Sequence, residues 1–474
     1  MLTIEVGHEE CFVNGDGALH DNGPAARTAT RPTPPESASN ARTPAPEPWI
    51  NGLRGLAALQ VVIFHYITPE AFFIYESAWV PPEHPGPRIL KLIPVRLLAQ
   101  GDAMARLFFV LSGYCIALGF SKEARSGPSI QYYGKLTSAV FRRSLRLFIP
   151  FTVVAILGHA LWFLGLYAEE PPDLENFCPD ARPWASPWSH VSCTCAYLLN
   201  AFNTVDLQWT FGLHNSLWSV PLELRGSLAT YTTLLGLANI RTKWRISIVA
   251  MLATYNFYYS TKDLTGFFAG LLIAELQRHI ATLKRKGPLP EHLVTTLSTL
   301  ALTTGLYLLS LPMKLHNDPV ESLPPDYDFI RSLHLPHWKS AGDYGWGAYY
   351  LGSTMLLAGL LGFPKLRQWL SVGPLQSLGD ISYSLSLVHF AVKWVCQRRI
   401  LWIVSQVLGL DEQSGMPEVM GNLVTPVMLM RTVAFVVYLG VTFACASVLT
   451  IELERPSKQW AHKIEQKLSV PKQD

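Results

Sequence analysis

Residues 52–66 read GLRGLAALQVVIFHY, an apolar run that carries two ionisable side chains, Arg54 and His65. They lie eleven positions apart, about three turns of an α-helix, so both project from the same face. The rise between them is about 16 Å, roughly half the hydrocarbon thickness of a membrane. If the run crosses a membrane, Arg54 marks one edge and His65 lies near the middle. An ionisable group at that depth costs several kcal/mol unless a protein interior or a wet cavity surrounds it. His65 is therefore the first candidate catalytic residue.

The composition favours a polytopic membrane protein. The chain has 474 residues, of which 49% are hydrophobic and 15% are charged, whereas soluble domains average roughly 25% charged residues. A net charge of +3 is too small to indicate a nucleic-acid partner. The composition therefore predicts that membrane lipid surrounds the chain.

About ten apolar segments predict an all-α bundle of about ten transmembrane helices. Residues 191–203 and 400–410 are weaker candidates for a further segment. The ten segments cover roughly 50–68, 103–120, 146–168, 216–239, 245–261, 264–279, 293–312, 346–364, 378–397 and 425–451.

The connections between these segments alternate in charge. The second, fourth, sixth and eighth connections are basic, whereas the third and the seventh are acidic. Because cytoplasmic connections carry the excess of Lys and Arg, both termini are predicted to lie in the cytoplasm. Arg398 and Arg399 are the exception, since the alternation places them on the outer side.

The ends of the chain differ from its middle. Residues 1–48 are rich in proline and polar side chains, and they predict a disordered cytoplasmic tail without the features of a secretory signal. Residues 49–457 form the predicted transmembrane domain, and residues 458–474 a short cytoplasmic tail. An endomembrane such as the endoplasmic reticulum is favoured over the plasma membrane.

Two polar connections contain Cys or His, residue types that form disulfides or bind metals in other proteins. Cys178, Cys193 and Cys195 share the third connection, where a disulfide fits a lumenal loop and free thiols fit equally well. His334 and His337 lie in an outer connection, where a solvated loop is favoured over a metal site. No metal site is therefore predicted.

Three titratable residues from three segments are predicted to reach similar depth: His65, Glu223 and His389. Imidazole accepts a proton near neutral pH, and Glu223 could orient or stabilise a charged His65. Arg54, Arg143 and Arg146 share the cytoplasmic edge, and clustered guanidinium groups suit phosphate. The pattern indicates a phosphate-bearing donor that enters from the cytoplasm, for which an acyl-CoA, a nucleotide or a lipid diphosphate would each qualify.

Six short motifs together resemble the acyltransferase-3 family of integral membrane acyltransferases. The resemblance covers about residues 50–457, and the long polar tail is similar to that of fungal members. The motifs are the pair Arg54 and His65, LFFVLSGY at 107–114, RRSLRLFIP at 142–150, WSVPLE at 218–223, ISYSLSLVH at 381–389 and ERP at 454–456.

The resemblance implies about ten transmembrane helices and transfer of an acyl group, often acetyl, from a CoA thioester to a hydroxyl. It implies that His65 is the catalytic base, and Glu223 is assigned to the catalytic site with it. By the same resemblance, Arg54, Arg143 and Arg146 hold the CoA phosphates. Acyl-CoA is then a co-substrate, and no permanently bound cofactor is expected. The residues assigned to substrate binding or structural support are Ser112, Trp218, Tyr383 and His389.

Two departures from the family pattern weaken any inference about the substrate. Pro221 lies within the tryptophan-to-glutamate motif and should kink its segment. Ser386 stands where many relatives have tyrosine.

Several functions remain open from the sequence. The favoured acceptor is a small secondary metabolite, such as a terpenoid or polyketide alcohol, and a sugar or polysaccharide hydroxyl is the alternative. A proton-coupled transporter would also place His and Glu within the membrane, but the chain shows no internal repeat of the kind that transporters carry. A non-enzymatic scaffold would leave the buried ionisable groups unexplained.

Overall fold

The part of the chain that the structure describes consists entirely of helices and irregular connections, which confirms the predicted all-α class. The predicted tail of residues 1–48 lies outside it, apart from Glu47 and Pro48. The computed structural model describes residues 47–69, 71–81, 83, 86–93, 95–120, 129–171, 178–203, 217–284, 290–313, 318–409 and 426–469.

The helices of seven or more residues are numbered in chain order. Two single π-helical turns, Lys393–Gln397 and Thr450–Glu454, precede α13 and α15. The helices are α1 (Pro48–Ile67), α2 (Gly101–Gly119), α3 (Ile130–Phe163), α4 (Pro187–Phe202), α5 (Ser219–Gly236), α6 (Thr242–Tyr258), α7 (Lys262–Lys284), α8 (Glu291–Leu309), α9 (Ala341–Leu361), α10 (Pro364–Leu370), α11 (Gly373–Asp380), α12 (Ser382–Val392), α13 (Arg398–Leu408), α14 (Pro426–Leu449) and α15 (Arg455–Leu468).

Five stretches are long and apolar enough to cross a membrane. They are α1, α2, α3, α8 and the stretch Met428–Leu468, which joins most of α14 to α15. The chain is thus an integral membrane protein with five candidate spans in its described residues. The other predicted segments fall on α5, α6, α7, α9 and α12, and their crossing of a membrane stays a prediction.

The ninth predicted segment is divided between α11 and α12. Close packing on α1 accompanies this division: a Cβ atom on Gly55 would lie 2.5 Å from the backbone nitrogen of Gly379. Small residues allow two helices to approach in this way. The Nδ2 of Asn51 also donates to Oδ1 of Asp380 at 2.9 Å. The contacts place α12 beside α1, so that His389 reaches the end of α1 that carries His65.

Contacts between helix ends follow the predicted alternation of sides. At the ends predicted to be cytoplasmic, Arg142 pairs with Glu465 at 3.4 Å and Arg245 with Glu275 at 2.9 Å. At the opposite ends, Ser260 donates to Asp343 at 3.0 Å. The contacts show which of these ends lie together, and the side of the membrane on which each set lies stays a prediction.

Arg399 contacts the part of the chain that follows α3. Its Nη1 donates to the carbonyl oxygen of Leu166 at 2.7 Å, and Leu166 lies near the end of the third predicted segment, 146–168. The predicted outer position of Arg399 stays a prediction. A local carbonyl partner compensates a charge that the positive-inside rule disfavours.

A disulfide joins Cys178 to Cys193, while Cys195 is an exposed free thiol. The two Cα atoms lie 5.9 Å apart, within the usual range for a disulfide. The bond ties the connection after α3 to α4, where both cysteines pack in one apolar cluster with Trp162 and Trp394. The sequence left this pairing open.

The prediction that Pro221 kinks its helix is wrong. Helix α5 begins at Ser219, so Pro221 lies in its first turn, where a backbone N–H has no partner within the helix to lose. Pro150 instead lies inside α3. It removes the hydrogen bond that would otherwise reach the carbonyl of Arg146, four residues earlier.

The last helix, α15, packs along the first half of α3. Ser457 and Ala461 are fully buried there, one helical turn apart on the same face. The boundary predicted between residues 457 and 458 falls within this helix. The described end of the chain is therefore part of the helical body as far as Leu468.

Candidate active site

One cavity is lined by every residue that the sequence analysis assigned to the catalytic, donor-binding or supporting site. Its empty volume is about 1460 Å³, including the open mouth, and its walls come from α1, α2, α3, α5, α12 and the region around the start of α15. The predicted residues that line it are Arg54, His65, Ser112, Arg143, Arg146, Trp218, Glu223, Tyr383 and His389.

Two imidazoles lie side by side in this cavity. The rings of His65 and His389 are stacked, with centroids 5.3 Å apart and planes inclined by 27°. Phe390 covers the His65 ring at a centroid distance of 4.5 Å. His65 lies in the last turn of α1, nearer to the end of its helix than the sequence suggested.

The surroundings of His389 fix its tautomer. Its Nδ1 lies 3.1 Å from the carbonyl oxygen of Leu385; a carbonyl only accepts, so Nδ1 carries the proton. In the neutral ring Nε2 then has a free lone pair. That Nε2 is buried and has no hydrogen-bond partner, in a side chain that is 1% exposed and lines the cavity. A hydroxyl in the cavity could satisfy it.

Lys393 supports the histidine pair from the π turn that follows α12. Its Nζ donates to the backbone carbonyl of His65 at 2.7 Å and lies 5.3 Å from the ring centre of Trp394. The contact joins the end of α1 to the end of α12. Sequence reasoning missed this residue, since only the spatial approach of the two helices gives a lysine near residue 390 a role.

Glu223 has a different partner from the one that the sequence suggested. Its carboxylate is ion-paired with Arg143, and the ring neighbours of His65 are Phe64, His389 and Phe390. The Arg143 side chain also donates from Nε to Ser227 at 2.7 Å. Helix α5 thus fixes the direction of Arg143, because Glu223 and Ser227 are one turn apart.

The three predicted phosphate ligands reach the cavity from two helices. Arg54 lies in the second turn of α1, and Arg143 and Arg146 lie about one turn apart on α3. Tyr383 packs beside them, with its hydroxyl donating to the carbonyl oxygen of Leu147 at 2.7 Å. The cavity therefore combines guanidinium groups with a pair of imidazoles.

The sequence assigned no role to Arg106, and the structure gives it one beside the cavity. Its guanidinium pairs with Asp102 at 2.8 Å and lies over the rings of Trp218, at 5.3 Å, and Trp346, at 4.4 Å. Cation–π contacts of this kind orient the aromatic ring. Trp218, a cavity residue, is thereby held in place.

Glu275 and Ser112 complete the comparison with the sequence. Glu275 is almost fully buried and forms ion pairs with both Arg245 and Arg278, away from the histidines. Ser112 lines the cavity. The neighbouring Gly113 is a packing residue: a Cβ atom there would lie 2.1 Å from the carbonyl oxygen of Phe267.

Among the described residues, no group of three or more His, Cys, Asp and Glu side chains could hold a metal ion.

A family model described as an acyltransferase domain matches residues 47–451. The chain belongs to this acyltransferase family. The expectation drawn from the six motifs is confirmed, and the protein is an enzyme that transfers acyl groups. No solved structure gives a significant match.

Three fungal acyltransferases are similar to the chain. An O-acetyltransferase from Phomopsis amygdali is 29% identical over 248 residues, which cover 48% of each chain. The chain thus spans about half the length of that relative. An acyltransferase from a Phoma species is 24% identical over 74% of this chain and 83% of its own. An acyltransferase from Cochliobolus lunatus is 25% identical over 73% of this chain and 82% of its own.

Proposed function

We propose that the protein is a membrane O-acetyltransferase that moves an acetyl group from acetyl-CoA to a hydroxyl of a small molecule. The observation that carries the proposal is the stacked pair His65 and His389 in the same cavity as Arg54, Arg143 and Arg146. The imidazoles supply a base, and the guanidinium groups suit the phosphates of a CoA thioester. The Phomopsis relative, named an O-acetyltransferase, supports acetyl as the group transferred.

In the proposed reaction, His65 accepts the proton of the acceptor hydroxyl. The hydroxyl oxygen then attacks the thioester carbonyl carbon, forming the ester C–O bond as the C–S bond breaks. The proton on His65 passes to the departing CoA sulfur, so the products are the ester and CoA as a thiol. Nε2 of His389, which has no partner in the protein, accepts a hydrogen bond from a second donor group of the acceptor molecule and orients it. The order of proton transfers follows ordinary general base catalysis.

We further propose that the acceptor is a fungal secondary metabolite, such as a terpenoid or polyketide alcohol. The relatives are fungal acyltransferases, which supports a fungal source for the acceptor. The cavity supports the proposed class of acceptor, because Phe108, Phe109, Trp218 and Val220 form an apolar wall beside the histidines. Such a wall suits a largely apolar molecule that presents one hydroxyl.

The proposed membrane arrangement has about ten spans with both termini in the cytoplasm. The disulfide between Cys178 and Cys193 supports an oxidising compartment on the side of the third connection. That side is outside by the charge pattern. The endoplasmic reticulum membrane meets both conditions.

The test begins with disruption of the gene and a comparison of metabolites. The disruptant should accumulate a compound that is lighter by one acetyl group than a compound of the parent strain. Purified full-length protein should then acetylate the accumulated alcohol with acetyl-CoA. A disruptant that accumulates an under-acetylated sugar would replace the metabolite acceptor, and an unchanged metabolite profile together with no acetyl transfer would refute the proposed function.

A further inference from the structure

Helix α15 runs beside the turns of α3 that carry two of the proposed phosphate ligands. At one end, Arg142 of α3 pairs with Glu465 of α15 at 3.4 Å. Ser457 and Ala461, fully buried, lie on the face of α15 that packs against the protein. The helix therefore forms part of the wall next to Arg143 and Arg146.

Near the start of α15, two hydrogen bonds from α12 hold α3 and the residue before α15 in place. Tyr383 donates to the carbonyl of Leu147 on α3. The next residue, Ser384, donates to the carboxylate of Glu454 at 2.6 Å. Glu454 ends the π turn before α15 and is 2% exposed. Leu147 and Glu454 are thus held close to the same turn of α12.

These two ties place Lys458 opposite the arginines. Along the chain, Lys458 lies between Glu454 and Glu465. On α3, Arg143 and Arg146 lie between Arg142 and Leu147. Lys458 lines the same cavity as both arginines. The cavity thus has a fourth cationic residue, which the sequence did not indicate.

Glu454 sets the position of this lysine. The Lys458 ammonium lies 3.4 Å from the Glu454 carboxylate, and both side chains are largely buried. A Glu four residues before a Lys is the favourable order for such a pair on a helix. An ammonium has three N–H donors, so a contact with one carboxylate is compatible with a phosphate contact as well.

We propose that Lys458 binds a phosphate group of the acyl donor beside Arg143 and Arg146, and that Glu454 positions it. The proposal rests on the proposed function, since a phosphate-bearing donor is part of it. It extends the donor site to residues beyond 451, where the family match ends.

The experiment uses purified full-length protein and two probes, CoA and pantetheine. Pantetheine has the thiol arm of CoA but none of its phosphates. Lys458→Met should weaken CoA binding about tenfold, the range of one lost charge-assisted contact, and leave millimolar pantetheine binding unchanged. Lys458→Arg should restore most of the CoA affinity. Lys463→Met is the matched control, because Lys463 is an exposed lysine on the same helix.

If Lys458 acts only in folding, the binding of CoA and of pantetheine changes in a different way. Equal loss of CoA and pantetheine binding, or no loss of CoA binding in Lys458→Met, would overturn the proposal. Glu454→Gln should weaken CoA binding in the native background and have no further effect in the Lys458→Met background; an added loss there would show that Glu454 does not act through the lysine. Wild-type protein that binds no CoA would instead refute the proposed function.

Discussion

His65 and His389 come from opposite ends of the sequence, and their rings lie 5.3 Å apart. Two imidazoles in contact can take different roles: one accepts the proton of the reacting hydroxyl, while the other accepts a hydrogen bond from a second donor group of the same molecule. The Nδ1–H of His389 is committed to the Leu385 carbonyl, so this ring is suited to accept a hydrogen bond through Nε2. His65 is the residue that we propose receives the proton.

Replacing His65 by Ala should therefore lower the rate of acetyl transfer and leave the binding of the acyl donor unchanged. We expect kcat for acetyl transfer to fall by about 100-fold to 10,000-fold, the usual contribution of a general base. The affinity for CoA should stay unchanged, because the arginines that are proposed to bind it lie on other turns. Steady-state kinetics and CoA titration measure the two effects.

His292→Ala is the control for this experiment, since His292 is an exposed histidine on α8. It should keep full activity. Acetyl transfer at the wild-type rate by the His65→Ala protein would show that another group is the base, and His389 would be the next residue to replace.

The Arg143–Glu223 pair gives a second prediction at this scale. Because Glu223 contacts Arg143, we expect Glu223→Gln to weaken CoA binding, by less than Arg143→Met does. The double variant should bind CoA no more weakly than Arg143→Met alone, since residues that act as one unit are not additive. Titration of CoA into the three variants completes the cycle.

The opposite result would restore the role first suggested by the sequence. If Glu223 stabilises a charged His65, Glu223→Gln should lower kcat and leave CoA affinity unchanged. It should also have no further effect in the His65→Ala background.

Motifs predicted which residues meet in the cavity, but not how they pair. Each motif names a residue type at a fixed place in its own helix. The partner depends on how helices rotate and slide against each other. Lys393 and Lys458 were missed for this reason, as was the partner of Glu223: their contacts join segments more than 60 residues apart or depend on a local π turn.

At the scale of helices, α2 and α7 are held together by small residues. A Cβ atom on Gly113 would lie 2.1 Å from the carbonyl oxygen of Phe267, and one on Gly270 would lie 2.0 Å from that of Val110. The two backbones are in contact, as in membrane helix pairs that meet through small residues. Helix α2 carries the adjacent Ser112 into the cavity by means of this contact.

Gly113→Ala should therefore destabilise the protein by about 1–3 kcal/mol, the usual cost of overpacking. The midpoint of thermal unfolding in detergent measures the effect. Gly440→Ala is the control, because a Cβ atom at Gly440, also within a helix, meets no atom within 4 Å. It should leave the midpoint unchanged or raise it, since Ala is the better helix former. Equal midpoints for the two variants would contradict this packing.

The apolar pattern predicted the helices better than it predicted their breaks. Most predicted segments match one helix, because a membrane requires a continuous apolar stretch. The ninth segment is divided at Ile381, where the separation of α11 from α12 accompanies glycine contacts with α1 that hydropathy does not record. The predicted tail of residues 458–474 overlaps helix α15, whose own residues are largely polar. It is held by contacts with α3.

At the scale of the whole molecule, the charge pattern predicts two sets of helix ends, one on each side of the membrane. Contacts alone show only which ends lie on the same side. The disulfide between Cys178 and Cys193 adds the direction, because disulfides persist where the compartment is oxidising. In the proposed arrangement, the connection after α3 therefore lies in the lumen and α15 in the cytoplasm.

The last prediction tests this orientation in cells. The sequence has no N-glycosylation acceptor of its own, so one acceptor introduced by Asp180→Asn with Arg182→Thr reports on the disulfide-bonded connection alone. We expect this variant to be glycosylated, which a mobility shift reversed by a glycosidase would show. An epitope tag after residue 474 should be digested when protease is added outside sealed microsomes. A protected tag and an unmodified acceptor would together reverse the orientation. The donor site beside Arg54 and Arg146 would then face the lumen, away from cytoplasmic acetyl-CoA.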